Sequence, residues 1–288
     1  MTLRPWLKFF RLPNLPTAPG DAWVGAAFAL PFAEERLFQG VAAGVVALAI
    51  YLFGLADNDV VGANTDGAER PIPAGGISLR AAKIVRACLL LAVVGLGWAF
   101  ALGRAWWGAA GSLVAVVWLY NRLKSKWLMG LCRGLSVAAG ACAVHAECSG
   151  ALAFLVLGWT AYIAAVTKLS EGEDRASAGL GRVRFIWGLA AFVPCGACFF
   201  LTPPQSPFLP LVGALFAYLN WCVAVSPLAR PHDAGTRRRA VGLTIGVLLY
   251  LQIGFMLVVP RMEFVAAALA VWVASRLCRR LAPSISGS

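Results

Sequence analysis

Long apolar runs constrain this chain more than any other feature. Ten of them follow one another along 288 residues, each close to the ~20 residues with which an α-helix crosses a ~30 Å hydrocarbon core. Hydrophobic residues make up 60% of the chain and charged residues 13%, against about 25% charged in a soluble domain. This composition excludes a secreted disulfide scaffold, a disordered chain and a soluble nucleic-acid-binding protein. The runs cover residues 16–33, 37–56, 83–102, 105–120, 127–146, 150–168, 183–201, 208–226, 240–259 and 263–278.

The positions of the basic residues support the same division into spans. If the N-terminus is cytoplasmic and the spans alternate, all of the 25 Lys and Arg residues except Arg36, Arg104 and Arg261 fall in cytoplasmic segments. We therefore expect a multi-pass protein of the cell (inner or plasma) membrane, with ten spans and both termini in the cytoplasm. Nine spans remain if the last run lies on the membrane surface. The net charge of +12 then reflects cytoplasmic loops rather than a nucleic-acid partner.

Two polar connections, residues 57–82 and 169–182, lie on the cytoplasmic side and carry most of the acidic residues. The first contains Asn58, Asp59 and Asp66, whose oxygen atoms are the ligands that Mg²⁺ prefers. An alternative interpretation, turn formation, applies to residues 64–67. It does not explain Asp57 and Asp59, because a carboxylate at the membrane boundary is costly without a partner.

Basic and acidic residues recur near that loop. Lys124 follows the fourth run, and the second connection holds Glu171 and Asp174. Two acidic loops beside basic side chains on one face of the membrane suggest a clamp in which a metal ion and cations stabilise a diphosphate.

Three motifs in these segments resemble those of the UbiA superfamily of intramembrane prenyltransferases. Asn58, Asp59 and Asp66 match the motif N-D-x-x-D-x-x-x-D, and residues 70–78, RPIPAGGIS, match R-P-[IL]-P-S-G-x-[IVL]-S. Tyr120 and Lys124 match Y-x-x-x-K after the fourth span. The resemblance runs from about residue 8 to about residue 260. Residues 11–19, 129–135 and 162–167 look most like the EboC-type branch.

The resemblance implies a fold and an activity. The fold is a single all-α transmembrane domain over residues 1–288, with nine to ten helices around a central cavity and short helices in the two polar loops. The activity is transfer of an isoprenyl group from a prenyl diphosphate to a small aromatic or cyclic acceptor, with membrane lipid as surroundings and no nucleic-acid or protein partner. The implied catalytic and Mg²⁺-binding residues are Asn58, Asp59 and Asp66, and the implied substrate-binding residues are Arg70, Tyr120, Lys124, Arg133, Glu171 and Asp174.

The chain departs from the family pattern at two positions. Gly62 stands where the first motif has its middle Asp, and Thr167 stands where the second motif, D-x-x-x-D, begins. Metal binding is then weaker, uses Glu171 or Asp174 instead, or is lost. The last outcome favours an alternative function, a non-catalytic carrier or transporter of a lipophilic metabolite on the same fold. An ion-coupled transporter is disfavoured because the acids cluster in loops rather than at the bilayer midplane.

Asp21 and Arg133 are the charged residues that lie furthest from the ends of the apolar runs. An acid within a span, here Asp21, indicates either a functional site or an interfacial carboxylate bonded to backbone that nearby prolines free. Arg133 lies inside the fifth run and should face a cavity or an acid rather than lipid. Its position near the cytoplasmic side favours contact with a diphosphate.

Overall fold

A computed structural model describes residues 3–145, 150–171, 179–201, 208–256 and 262–286 of the protein. Within these ranges the regular secondary structure is helical, as the apolar runs predicted. Short 3₁₀ turns join some of the α-helices. The eleven α-helices are α1 Leu3–Phe9, α2 Thr17–Ala29, α3 Leu37–Val61, α4 Leu79–Ala99, α5 Arg104–Leu123, α6 Lys126–Val144, α7 Gly150–Ser170, α8 Val183–Leu201, α9 Phe208–Val225, α10 Ala234–Met256 and α11 Met262–Ser286.

Each of the ten predicted runs overlaps one of the helices α2 to α11, and α1 is an additional short helix. By length and hydropathy, four helical segments of the described chain are clear candidate spans: Glu34–Val61, Lys126–Val144, Gly150–Ser170 and Ala234–Met256. Other helices are shorter or carry charge at one end; α2 has only 13 residues. The number of helices that cross the membrane therefore stays a prediction.

The boundaries predicted for the first polar loop are wrong. Helix α3 continues to Val61 and α4 begins at Leu79, so the loop covers residues 62–78 instead of 57–82. Asn58 and Asp59 consequently lie in the last turns of a helix. The short helix expected in this loop is also absent, because residues 62–78 form turns rich in glycine and proline. In the second connection α7 extends to Ser170, and residues 172–178 lie outside the described part of the chain.

Helix α2 lies at the centre of the packing and contacts α3, α6, α10 and α11. One apolar cluster fills the space between α3, α4, α5 and α6, around Phe53 and Trp106. A larger cluster is formed by α2 and α6 to α11, around Trp159 and Trp221. Helix α6 contributes to both, so it joins the two halves of the bundle.

Glycines allow α2 and α6 to approach closely. A Cβ atom placed on Gly140 of α6 would overlap the backbone carbonyl of Ala22, and one placed on Gly25 of α2 would overlap the carbonyl of Val137. Because backbone atoms cannot rotate away as a side-chain tip can, this contact requires glycine on both helices.

We expect Gly140→Ala to lower the free energy of unfolding by about 2–3 kcal/mol, since the added methyl group overpacks a backbone contact. Thermal unfolding in detergent measures the change. Gly111→Ala is the matched control, because a Cβ at Gly111 of α5 meets no atom within 4 Å. That variant should gain up to about 1 kcal/mol from helix propensity. Equal effects of the two substitutions would contradict the packing interpretation.

Candidate functional site

A group of polar side chains gathers where α3 ends. Asp59 is only 3% exposed although it carries a carboxylate. Its Oδ1 atom accepts a hydrogen bond from Asn58 Nδ2 at 3.2 Å and lies 3.4 Å from Arg70 Nη1 and 3.9 Å from Arg11 Nη2. Lys124 Nζ donates to Asn58 Oδ1. We define the polar cluster as the side chains of Arg11, Asn58, Asp59, Asp66, Arg70 and Lys124.

The RPIPAGGIS segment forms a compact turn that holds Arg70 in the polar cluster. The carbonyl of Pro71 accepts backbone hydrogen bonds from Gly76 at 2.9 Å and Ile77 at 3.2 Å. Gly75, which lies between Pro71 and these two donors, has a φ of 73°, a conformation that favours glycine. Ile77 is buried in the apolar cluster around Phe9. The backbone hydrogen bonds and packing of this motif therefore fix the Arg70 backbone close to the end of α3.

Asp66 occupies the space that Gly62 leaves open. The Asp66 amide donates to the Gly62 carbonyl at 2.8 Å, and a Cβ atom at position 62 would overlap the Asp66 carboxylate. Asp66 Oδ2 is 3.9 Å from Arg70 Nε, and its side chain is 30% exposed. The departure at Gly62 thus has a local consequence, because any side chain there would displace the carboxylate of Asp66.

Tyr120 and Lys124 lie together at the end of α5. The Lys124 amide donates to the Tyr120 carbonyl at 2.8 Å, and the ammonium lies 5.7 Å from the Tyr120 ring centroid. Burial lowers the pKa of the Lys124 ammonium below its usual value. Arg11 and Arg70 lower this pKa further, whereas Asp66 opposes the shift. The motif Y-x-x-x-K therefore places a partly desolvated cation against Asn58.

Two cations of the polar cluster have strained backbones. In the described ranges the non-glycine residues with positive φ are Arg11 at 45°, Ala101 at 51° and Lys124 at 52°. A left-handed conformation costs a side-chain-bearing residue roughly 1–2 kcal/mol. Such strain concentrates at functional sites, where the surrounding structure maintains it. Arg11 was not among the predicted site residues; the sequence signal for it is its place at the start of the family-like stretch 11–19.

Asp57 has different partners from its neighbours Asn58 and Asp59. It is 2% exposed, and its carboxylate lies 3.0 Å from Arg86 Nη1 on α4 and 3.3 Å from Arg122 Nη1 on α5. Asn121 Nδ2 also donates to it, at 2.9 Å. These contacts join the ends of three helices, so Asp57 supports the site without belonging to the polar cluster.

Arg133 lies against an acid, one of the two environments expected for it. Its Nε atom is 2.5 Å from Asp21 Oδ2, and its Nη2 atom donates to the Thr17 carbonyl at 2.9 Å. The described contacts of Arg133 are thus to α2 rather than to the polar cluster. Its predicted role in substrate binding stays a prediction.

The second connection is only partly described. Glu171 follows the end of α7, is 49% exposed and pairs with Lys168 of that helix. Thr167 Oγ1 donates to the Ile163 carbonyl at 2.8 Å, within α7. Asp174 lies outside the described residues. Within the described part of the chain Glu171 pairs with Lys168 and not with the polar cluster, so the roles of Glu171 and Asp174 in ligand binding stay predictions.

The oxygen atoms of the polar cluster fit a metal ion that arrives with a phosphate ligand. Asp59 and Asp66 supply carboxylates and Asn58 an amide oxygen, and three cations surround them. In the described part of the chain, no three His, Cys, Asp or Glu side chains form a metal-binding group. This donor set suits Mg²⁺, which takes one or two carboxylates and completes its shell with phosphate oxygens and water. It does not suit a metal held by protein alone.

Comparisons with solved structures agree with the fold. The structure is similar to that of a UbiA homologue from Archaeoglobus fulgidus, with a TM-score of 0.66 and 14% identity over 93% of this chain and 98% of that one. An apo UbiA homologue from Aeropyrum pernix K1 gives a TM-score of 0.64 and 19% identity over 86% and 98%. The Archaeoglobus fulgidus homologue bound to GPP and Mg²⁺ gives 0.57 and 13% over 85% and 99%.

Comparison of the amino-acid sequence with family profiles identifies the family. No curated protein matches the chain significantly. A profile of the UbiA prenyltransferase family, however, matches residues 15–244, a range that includes all three motifs. The finer resemblance to the EboC-type branch stays a prediction. The chain belongs to the UbiA prenyltransferase family.

Proposed function

We propose that this protein is an integral-membrane prenyltransferase that moves an isoprenyl group from a prenyl diphosphate to a small aromatic or cyclic lipophilic acceptor. The observation that carries the proposal is the polar cluster, in which Arg11, Arg70 and Lys124 surround two carboxylates at the end of an apolar bundle. Its cations outnumber its carboxylates, so an anionic ligand neutralises it. A diphosphate at this end leaves the prenyl chain among apolar helices.

Asn58, Asp59 and Asp66 would hold Mg²⁺ against the diphosphate. This assignment is supported by their oxygen donors and by the homologue structures bound to GPP or DMAPP with Mg²⁺. The bound ion supplies a positive charge that stabilises the diphosphate oxygens as the ester bond breaks. Gly62 and Thr167 stand where the family pattern has carboxylates, so we expect the end of α3 and Asp66 to provide most of the ligands in this chain.

The side chains of the polar cluster act on the leaving group. The allylic C–O bond breaks with its electron pair going to the diphosphate, and the Arg11, Arg70 and Lys124 cations stabilise the negative charge that develops there. The acceptor then attacks the allylic carbon and loses a proton. Enclosure by apolar helices keeps water from the allylic cation before the acceptor reacts. Tyr120 is assigned to the border between the diphosphate and the prenyl chain, because its ring lies beside Lys124 and packs against the apolar cluster around Phe53 and Trp106.

The proposed membrane arrangement has nine or ten spans around a central cavity that opens to the cytoplasm, with both termini on that side of the cell membrane. The alternation of basic loops supports this arrangement. A reporter fused after Ser288 tests it, and we expect a cytoplasmic readout. A periplasmic readout would remove the tenth span and leave nine.

A carrier of a lipophilic metabolite is the second candidate function. The two motif departures, Gly62 and Thr167, favour it, whereas the Asn58, Asp59 and Lys124 contacts favour the enzyme. Purified protein in nanodiscs, incubated with Mg²⁺, labelled geranyl, farnesyl and longer diphosphates and a panel of aromatic acceptors, distinguishes them. The enzyme releases diphosphate and forms labelled product. Tight binding of a lipophilic metabolite with no consumption of any donor would establish the carrier.

The lowered pKa of Lys124 predicts a pH dependence of donor binding. Lys124 is charged, and affinity is highest, below its lowered pKa; as the pH rises through that value the ammonium loses its proton and affinity falls about tenfold. In the window between this pKa and the usual lysine value, the unfolded chain binds more protons. The contribution of Lys124 to stability therefore rises with pH there.

Calorimetry with geranyl thiodiphosphate across alkaline pH measures the fall in affinity. Lys124→Arg is the control, because arginine stays charged throughout and should remove the alkaline loss. An identical pH profile in both proteins would show that Lys124 does not bind the diphosphate.

A further inference from the structure

A buried network lies at the centre of the bundle, separate from the polar cluster. Asp21 of α2 is fully buried. Its carboxylate lies 2.5 Å from Arg133 Nε of α6, and it accepts hydrogen bonds from Trp159 Nε1 of α7 at 2.9 Å and Gln252 Nε2 of α10 at 2.6 Å. Four helices thus meet at one carboxylate.

The same donors also hold the first turn of α2. The Thr17 carbonyl accepts from Arg133 Nη2 at 2.9 Å and from Gln252 Nε2 at 2.8 Å. Gly20 gives the Gln252 amide its space, since a Cβ there would overlap it. Arg133 and Gln252 therefore bind both the side chain of Asp21 and the backbone one turn before it.

A short rigid segment connects this turn to the polar cluster. Thr17 Oγ1 donates to the Asn14 carbonyl at 2.8 Å, and the Asn14 amide donates to the Arg11 carbonyl at 2.9 Å. Pro16 lies in this segment, and its ring fixes φ there. Arg11 at the far end has the left-handed backbone conformation that directs its guanidinium toward Asp59.

We propose that Arg133 and Gln252 are positioning residues, which set Arg11 against Asp59 by fixing the start of α2. This inference rests on the proposed function, because Arg11 is one of the cations assigned to the diphosphate. A buried ion pair is weak evidence for stability alone, since well-packed apolar side chains replace such pairs at little cost. Here the bonds to the Thr17 backbone give it a geometric role.

A double-mutant cycle on donor affinity tests this proposal. Gln252→Met removes the donations to Asp21 and Thr17 while Arg133 and Trp159 still neutralise and bond the carboxylate. With geranyl thiodiphosphate and Mg²⁺ as the probe, we expect Arg11→Ala to weaken binding about tenfold and Gln252→Met to weaken it several-fold. In the Arg11→Ala protein, Gln252→Met should have no further effect, because the residue that it positions is gone.

Two controls separate positioning from a general loss of structure. In a Lys124→Ala background the effect of Gln252→Met should multiply in full, since Lys124 is held by α5. Thr244→Val removes a buried hydroxyl whose hydrogen bond in the described structure stays within α10, to the Val241 carbonyl, and should leave affinity unchanged. If Gln252→Met does not fold, Arg133→Lys replaces it in the cycle, because lysine keeps the charge beside Asp21 but loses the guanidinium geometry that reaches Thr17.

Multiplicative effects of Gln252→Met and Arg11→Ala would overturn the positioning role while leaving the diphosphate site intact. Unchanged affinity in a folded Gln252→Met protein would do the same, provided that Arg11→Ala weakens binding. If Arg11→Ala itself leaves affinity unchanged, both the assignment of Arg11 to the diphosphate and the positioning role are overturned.

Discussion

Asp59→Ala is expected to lower the rate of prenyl transfer by about 10²- to 10³-fold, the loss typical when one preorganised electrostatic group is removed from a site. Asp59 is the buried carboxylate on which Arg11, Arg70 and Asn58 converge. Without it two guanidinium groups lose their common partner, and the proposed metal ion loses a ligand. Turnover of a labelled prenyl diphosphate by purified protein, normalised to folded protein, measures the effect.

The neighbouring acidic residues offer a matched control for this prediction. Asp57→Ala also removes a carboxylate near the end of α3, but one that the polar cluster does not use. The rate of prenyl transfer per folded molecule should stay within about threefold of wild type in that variant, because residues without shared partners affect each other only weakly. Equal losses of activity in folded Asp57→Ala and Asp59→Ala proteins would contradict the division of roles.

Asp57→Ala should instead lower the free energy of unfolding by about 3 kcal/mol, the lower end of the cost of breaking a buried ion pair. The lower end applies because the partners Arg86 and Arg122 are about one third exposed and so regain some hydration. The substitution removes the carboxylate that joins α3 to α4 and α5. Thermal or denaturant unfolding in detergent provides the measurement.

A second substitution shows whether the loss arises from these pairs. Adding Arg86→Met to Asp57→Ala should cost little more than Asp57→Ala alone, because the guanidinium has already lost its partner. Fully additive losses would mean that Arg86 stabilises the protein through other contacts. An unchanged unfolding temperature in Asp57→Ala would show that the carboxylate does not join the helices.

The helical architecture could be predicted from the sequence because burial in lipid requires long apolar runs. Each run overlaps one helix of the described chain. The end of α3 could not be predicted in this way. Its last turns are polar, and they stay helical because Asp57 pairs with Arg86 and Arg122, which lie 29 and 65 residues further along the chain. The hydropathy of a short sequence segment contains no information on ion-pair partners that lie far away in the chain.

The site was predictable where a motif is continuous and not where it depends on distant pairing. Asn58, Asp59, Arg70 and Lys124 come together as the family motifs indicated. Arg11 was missed because its approach to Asp59 depends on a left-handed backbone at a position with no glycine. Arg133 was assigned to a diphosphate, yet its described partner is Asp21 in another helix, and nothing in the spacing of the two residues predicts that pair.

Equilibrium binding of geranyl thiodiphosphate with and without Mg²⁺, compared between wild type and Asp66→Ala, tests the central claim most directly. Asp66 is the most exposed carboxylate of the polar cluster, so its removal should leave the fold intact. The polar cluster as a prenyl diphosphate site predicts binding that Mg²⁺ strengthens in the wild type, and loss of this strengthening in Asp66→Ala. Binding of the same affinity and the same Mg²⁺ dependence in both proteins would contradict it.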